Sequence, residues 1–103
     1  MTLRAMLRTL RSEAAPVLPV TVRREDLKRG RLYGYCRLSS DRSRFHIGLA
    51  ADLTGDRLAE YLCHEWAHAM AWTEGRQVEE HDGQWGAAYA RCYSLIFKPD
   101  ERA

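Results

Sequence analysis

Five consecutive residues, His64-Glu65-Trp66-Ala67-His68, constrain this chain more than any other stretch. Two histidines four apart stack on one face of an α-helix, so both imidazoles can reach a single metal ion only if the segment is helical. With 4 His in 103 residues, the HExxH spacing arises in roughly one shuffled sequence in a hundred, so it is read as chemistry and not as accident. Thr54 stands as N-cap, Asp56 falls in the first turn, and the helix is expected to run to about Trp72, with Gly75 as a stop just beyond. Zinc takes imidazole nitrogens, and a catalytic zinc site uses three protein ligands and leaves a position for water. Glu65, one residue on from His64, is turned toward that open position. There a carboxylate can take a proton from water and pass it to a leaving amine.

The third ligand must come from elsewhere. The extended metalloprotease motif needs a Gly and a further His soon after the second His, but Ala71 and Glu74 stand at those places. The candidates are His81, Glu79, Glu80 and Asp82. His81 follows the Gly75 turn at the start of the next helix, where a reversing chain can bring it back to the metal. Asp82 reads as the N-cap of that helix or as a group that orients a ligand imidazole.

The rest of the chain supplies a small frame. Leu3, Met6, Leu7 and Leu10 recur at helical spacing beside a stripe of Arg4, Arg8 and Arg11, so residues 1–15 read as an amphipathic basic helix. Pro16 and Pro19 break it and bracket Val17, Val20 and Val22, a short strand or extended link. Leu32 to Leu38 and Arg44 to Leu49 read as two strands joined by the turn Ser39-Ser40-Asp41-Arg42-Ser43, a β-hairpin. The strand over 44–50 is expected to be a sheet edge beside the cleft, free to pair with an extended peptide. A last helix is expected from about Asp82 to Phe97, with Trp85, Ala88, Tyr89, Cys92, Tyr93 and Ile96 on its buried side. Pro99 ends it, and residues 99–103 read as a frayed tail. The order of helix, short strands and two further helices describes a single α+β domain over residues 1–103.

Composition narrows the function classes. No apolar run reaches the ~18–20 residues of a membrane span, and Arg4, Arg8 and Arg11 interrupt any signal-peptide core. Cys36, Cys63 and Cys92 form no CxxC pair, which excludes zinc ribbons and thioredoxin-type motifs; they read as small buried hydrophobes of a reduced, cytoplasmic protein. Residues 1–57 carry 12 Lys/Arg against 6 Asp/Glu, whereas residues 58–103 carry 4 against 8. The basic half suits either a solvated surface or a polyanion. Arg4, Arg8, Arg11, Arg23, Arg24, Lys28, Arg29 and Arg31 are the candidates to meet a nucleic-acid backbone. His46 reads as a strand-surface residue. Tyr61, Tyr89 and Tyr93 read as packing, with one of them a possible oxyanion donor, and Trp66, Trp72 and Trp85 read as core.

From about Tyr33 to Trp85 the chain resembles the SprT-like (Spartan-related) zinc metallopeptidase family. The resemblance rests on Tyr33-Gly34-Tyr35-Cys36, on Phe45-His46-Ile47-Gly48-Leu49, on the HExxH of residues 64–68, and on His81 followed four residues later by Trp85. It implies a small zincin-like fold, His64, His68 and His81 as Zn2+ ligands, and Glu65 as catalytic acid and base. It also implies endopeptidase activity on protein or peptide substrates, DNA-associated proteins among them. Two departures stand out. Asp82 follows His81 where the family usually has Gly, and the cysteine-rich zinc ribbon of longer members has no counterpart here. The alternative class is a metal-bound module that associates with DNA or serves as an adaptor, with peptidase activity weak or lost.

Overall fold

Thr2 opens the first element. In the computed structural model, which describes residues 1–27, 30 and 32–97, the Thr2 hydroxyl accepts the Ala5 N–H at 3.1 Å. It thereby caps α1, Leu3–Glu13. The helix buries Met6 and Leu10 and presents its arginines outward, as the spacing requires. Pro16 cannot continue it, and after a short extended link the chain enters β1, Val20–Glu25. The hairpin follows as β2, Gly34–Leu38, and β3, Phe45–Ala50, paired antiparallel. Its turn is closed by Ser39 N–H to the Arg44 carbonyl at 2.8 Å. Asp41 holds the loop from within: its carboxylate accepts from the Ser39 and Ser43 hydroxyls, each at 2.7 Å.

β1 pairs with β3 in parallel, with Val20 opposite Phe45 and Ala50 opposite Glu25. The strand order is therefore β1-β3-β2. This corrects the expectation for residues 44–50: β3 is the central strand, paired on both sides, and the free edges belong to β1 and β2. The correction has a simple cause. A hairpin partner leaves one edge of β3 open, and the valine-rich segment before it returns to fill that edge.

Side chains alternate across the sheet. Phe45, Ile47, Leu49 and Cys36 face the helices and are buried. Thr21, Arg23, Tyr35, Arg37 and His46 belong to the opposite face. Gly48 is buried even there, because the Tyr35 ring lies across it; a Cβ at position 48 would run into that ring. Tyr35 also donates its hydroxyl to Glu25.

The next helix, α2, spans Gly55–Ala71. Thr54 occupies its N-cap position in an extended conformation but makes no side-chain capping bond, so the cap read from the sequence is positional only. The chain leaves α2 at Trp72 in an extended conformation, and Gly75 takes a left-handed turn with φ of 86° in the segment that follows. Then comes α3, Gly83–Phe97. α2 packs against α3 and against β2 and β3, while α1 packs against α3. Leu62, Cys63, Trp66 and Ala69 of α2 are fully buried, together with Cys92 and Leu95 of α3. Trp66 anchors α1 as well, donating its indole N–H to the Ala14 carbonyl at 2.9 Å.

Only part of the expected inner face of α3 is buried. Ala88, Cys92, Leu95 and Ile96 are covered, whereas Trp85, Tyr89 and Tyr93 are half-buried. With Phe97 they form a flanking ladder whose ring centroids are 5.3, 6.1 and 4.4 Å apart. All three cysteines are free and buried, as read, and burial pushes each thiol well above its ordinary value. Three helices and one three-stranded sheet among the described residues make this an α+β fold. Among the same residues no helix is long and apolar enough to cross a membrane. Pro99 and the tail over 99–103 lie outside the described residues.

Candidate metal centre

α2 sets two histidines by its repeat alone. His64 and His68 are one turn apart, with ring centroids 5.1 Å apart, and the apolar side of the helix that carries Leu62, Cys63 and Trp66 fixes which way they point. His68 is buried and His64 partly so. Across the loop of residues 72–82 the chain reverses and returns His81 to the same place. Its ring centroid lies 5.0 Å from that of His64 and 4.6 Å from that of His68. The His81 and His64 Nε2 atoms are 3.1 Å apart.

One candidate ligand atom from each of the three histidines lies within 4.8 Å of the others. Four-coordinate zinc at ~2.0–2.1 Å from each nitrogen holds its ligands ~3.3 Å apart, so the cluster fits one such ion with little side-chain movement. The donor chemistry also fits. Burial lowers the pKa of His64 and His68, the latter to about 4, and the neighbouring imidazoles push in the same direction. Both rings are therefore neutral near pH 7, the state a metal requires. His68 is oriented by a bond to the backbone of Val78. Ligand imidazoles are commonly held from behind in this way.

Among the described residues, the group able to hold a metal consists of His64, His68 and His81; Glu79 and Glu80 do not join it. Asp82 is committed elsewhere. Its carboxylate accepts the Trp85 N–H at 3.1 Å, capping α3, and it takes the Arg76 guanidinium at 2.5 Å. The capping role read from the sequence is thus the one seen.

Glu65 follows His64 in the same turn of α2. It is only 6% exposed, and burial raises its carboxyl from an ordinary 4.5 to about 7. Its neighbour there is Gly34 at the start of β2. A Cβ on Gly34 would lie 3.2 Å from Glu65 Oε2 and 3.1 Å from the Gly48 carbonyl oxygen. A side chain at position 34 would therefore press on the carboxylate, and glycine leaves it room. The Tyr-Gly pair of the sequence is explained by this close approach.

Trp85 is not the core residue the sequence suggested. Its ring packs on all three histidines, with centroids 5.0 Å from His64, 5.6 Å from His68 and 4.7 Å from His81. Its indole N–H donates to the His64 carbonyl at 3.2 Å. Because Trp85 stands in the first turn of α3, this bond ties the two helices together at the cluster. Trp66 and Trp72 are buried as expected. A cavity of about 230 Å³ opens beside His64, lined also by Arg57, Glu60, Tyr61 and Tyr89. Tyr61 and Tyr89 pack against the core, as read, and also line this cavity. Tyr61 stacks on the half-exposed Tyr33 at 5.1 Å, and the Arg57 guanidinium covers the Tyr33 ring at 5.0 Å.

The chain matches the SprT-like family model over residues 3–101. It belongs to the SprT-like family. No curated protein and no solved structure matches it. The family match extends well beyond the Tyr33–Trp85 stretch that carried the resemblance, and takes in α1 and α3.

Among the described residues, the basic side chains of the first half serve different ends. Arg24 is consumed by structure: its guanidinium donates to the carbonyls of Ala50, Ala51 and Leu53 at 3.0, 3.0 and 2.6 Å, holding the entry to α2. Arg11 donates to the Val20 carbonyl at 3.1 Å. Lys28, Arg29 and Arg31 lie outside the described residues. Arg4 and Arg8 are carried by α1. Arg23 lies on the outer sheet face, where it lines a concavity of about 350 Å³ with Arg37 and His46. Arg44 reaches the same face, donating to the Thr21 hydroxyl at 2.8 Å.

Proposed function

We propose that this SprT-like protein is a zinc-dependent endopeptidase of zincin-like type, in which His64, His68 and His81 hold the ion and Glu65 is the catalytic acid and base. The convergence of the three imidazoles, two of them on the helix that also carries the buried carboxylate of Glu65, carries this reading. Zinc, when bound, would supply the Lewis acidity that polarises a carbonyl and brings the pKa of water close to neutral. Glu65 then removes a proton from the attacking water and delivers it to the departing amine nitrogen. Burial in the metal-free chain favours the protonated form of the Glu65 carboxyl, and a carboxylate in such a place can hold a proton between accepting and donating it. An extended peptide would pair with the free edge of β2, whose first residue, Gly34, lies against Glu65.

The deciding experiment combines metal analysis of the purified chain with cleavage of an unfolded protein substrate. The expected result is bound zinc and hydrolysis that a chelator abolishes. Glu65→Gln should keep the zinc and lose ~10²–10⁴-fold in rate; undiminished cleavage by that variant would refute the assigned role.

The outer sheet face supports a second reading, a metal-bound module that associates with nucleic acid and cleaves weakly or not at all. Arg23, Arg37 and Arg44 would neutralise phosphates there. Binding that weakens steeply with salt, without proteolysis of any DNA-bound protein, would favour it over the first.

A further inference from the structure

His81 has no helix beneath it. It is exposed, at the end of the loop over 72–82, and an unrestrained loop side chain loses conformational entropy whenever it is brought to a fixed point. The restraint comes from Arg76, five residues earlier. The Arg76 side chain is only 12% exposed, although its partners Glu80 and Asp82 are open to solvent at 46% and 43%. Its guanidinium donates to Asp82 Oδ1 at 2.5 Å and to Gln84 Oε1 at 3.0 Å, and it pairs with Glu80 at 3.6 Å. Those partners bracket His81: one residue before it, one after it, and one in the first turn of α3. Asp82 also receives the Trp85 N–H, so the same carboxylate joins the loop to the helix. One guanidinium thus spans the joint at which the third imidazole stands.

We infer that Arg76 is a positioning residue of the metal centre. It touches none of the three imidazoles through any of these bonds; it fixes the backbone on both sides of His81, so that the ring is set before an ion arrives. Isolated surface ion pairs add little to global stability. The same contacts concentrated around one ligand act on preorganisation instead, and outer partners of metal ligands typically govern 10–100-fold in affinity. The inference rests on the three histidines being metal ligands.

The test is a double-mutant cycle on the full chain, read as zinc affinity by competition with a chromophoric chelator. Arg76→Ala should weaken zinc ~10–100-fold. The visible absorption of the cobalt-loaded protein should weaken with it, as the coordination becomes less tetrahedral. Arg76→Lys should recover part of the loss, since an ammonium replaces the charge but not the planar fork that bridges several acceptors. In a His81→Ala background, Arg76→Ala should cost no further affinity. Wild-type affinity and an unchanged cobalt spectrum in Arg76→Ala overturn the inference. So does an equal loss with and without His81, which would mean that Arg76 supports the fold at large. Far-UV circular dichroism of the metal-free variants checks folding. Should Arg76→Ala not fold, Gln84→Ala removes one acceptor and leaves both ion pairs, and the same cycle with His81→Ala then decides. If wild type takes up no zinc, or His81→Ala binds as tightly as wild type, the ligand assignment itself falls and the inference with it. If wild type binds, His81→Ala binds more weakly, and Arg76→Ala is unchanged, only the inference falls.

Discussion

His64 and His68 stand on a helix whose neighbouring residues Leu62, Cys63 and Trp66 have no exposed surface, whereas His81 stands on an exposed loop held by polar contacts. The first pair inherits its geometry from the helical repeat and from apolar burial, both of which the chain needs in order to fold. The third histidine inherits its place from a guanidinium and three oxygen-bearing partners. Apolar packing fixes position strongly and tolerates little change. A polar loop can be altered with the fold intact. The contrast teaches that the two halves of one centre can fail separately.

The largest expected effect lies in the helical half. Trp66→Ala removes a fully buried indole and its bond to Ala14. It should cost ~3–5 kcal/mol, a large share of the ~5–15 kcal/mol available to a domain. Urea denaturation of the metal-free protein checks this, and a loss below ~1 kcal/mol would break the comparison.

The histidines give the next test. With chelator present, His81→Ala should leave the midpoint of thermal unfolding close to wild type, as exposed substitutions usually do, within ~0.5 kcal/mol. His68→Ala, at a buried position, should lower it measurably. Both should abolish high-affinity zinc uptake. Equal thermal effects would mean that the loop is as much a part of the core as the helix.

Gly34→Ala sharpens the comparison from the side of the sheet. The added Cβ must displace either the Glu65 carboxylate or the β3 backbone, at a cost on the order of 1–3 kcal/mol. Cleavage should fall, while zinc affinity stays near wild type because no histidine is touched. A parallel fall in zinc affinity would show that Glu65 and the imidazoles are not independently placed.

The last test is a pH dependence. Glu65 is raised to about 7 in the folded chain from an ordinary 4.5, so folding disfavours its charged form. Below pH 4.5 the group is protonated in both states and contributes no difference. Between 4.5 and 7 the unfolded chain releases its proton first, and stability is lost as pH rises. Metal-free Glu65→Gln should therefore gain on wild type steadily across that window and hold a constant margin above it. His68, lowered to about 4, drives stability the opposite way, but it does so in both proteins and cancels in the comparison. A margin that is flat with pH would show that burial does not perturb the carboxyl.

Much of this molecule was legible in its residues, where a local rule governs. The spacing of Leu3, Met6, Leu7 and Leu10 yields α1, the Ser39–Ser43 cluster yields the hairpin, and two histidines four apart require α2. Asp82 could be read as a cap because capping is local. Strand order could not be read, since whether β3 is an edge depends on where residues 20–25 return. The alternation in β3 hints at it: a strand reading Phe-His-Ile-Gly-Leu-Ala has almost no polar residue to show at a solvent edge. Arg24 looked like a surface charge because nothing in a sequence marks which carbonyls an arginine will satisfy. Trp85 looked like core because an aromatic at helical spacing usually is. Its position four residues after His81 was the available signal, and the chain entering α3 at Gly83 brings the two rings into contact.

That contact has an optical consequence. Trp85 is in ring contact with His64, His68 and His81 at once, while the indoles of Trp66 and Trp72 are buried elsewhere in the core. An indole beside imidazoles has its emission altered whenever those rings gain a proton or close on an ion. The protein therefore carries a built-in fluorophore at its centre, and occupancy can be followed in real time without attaching a dye.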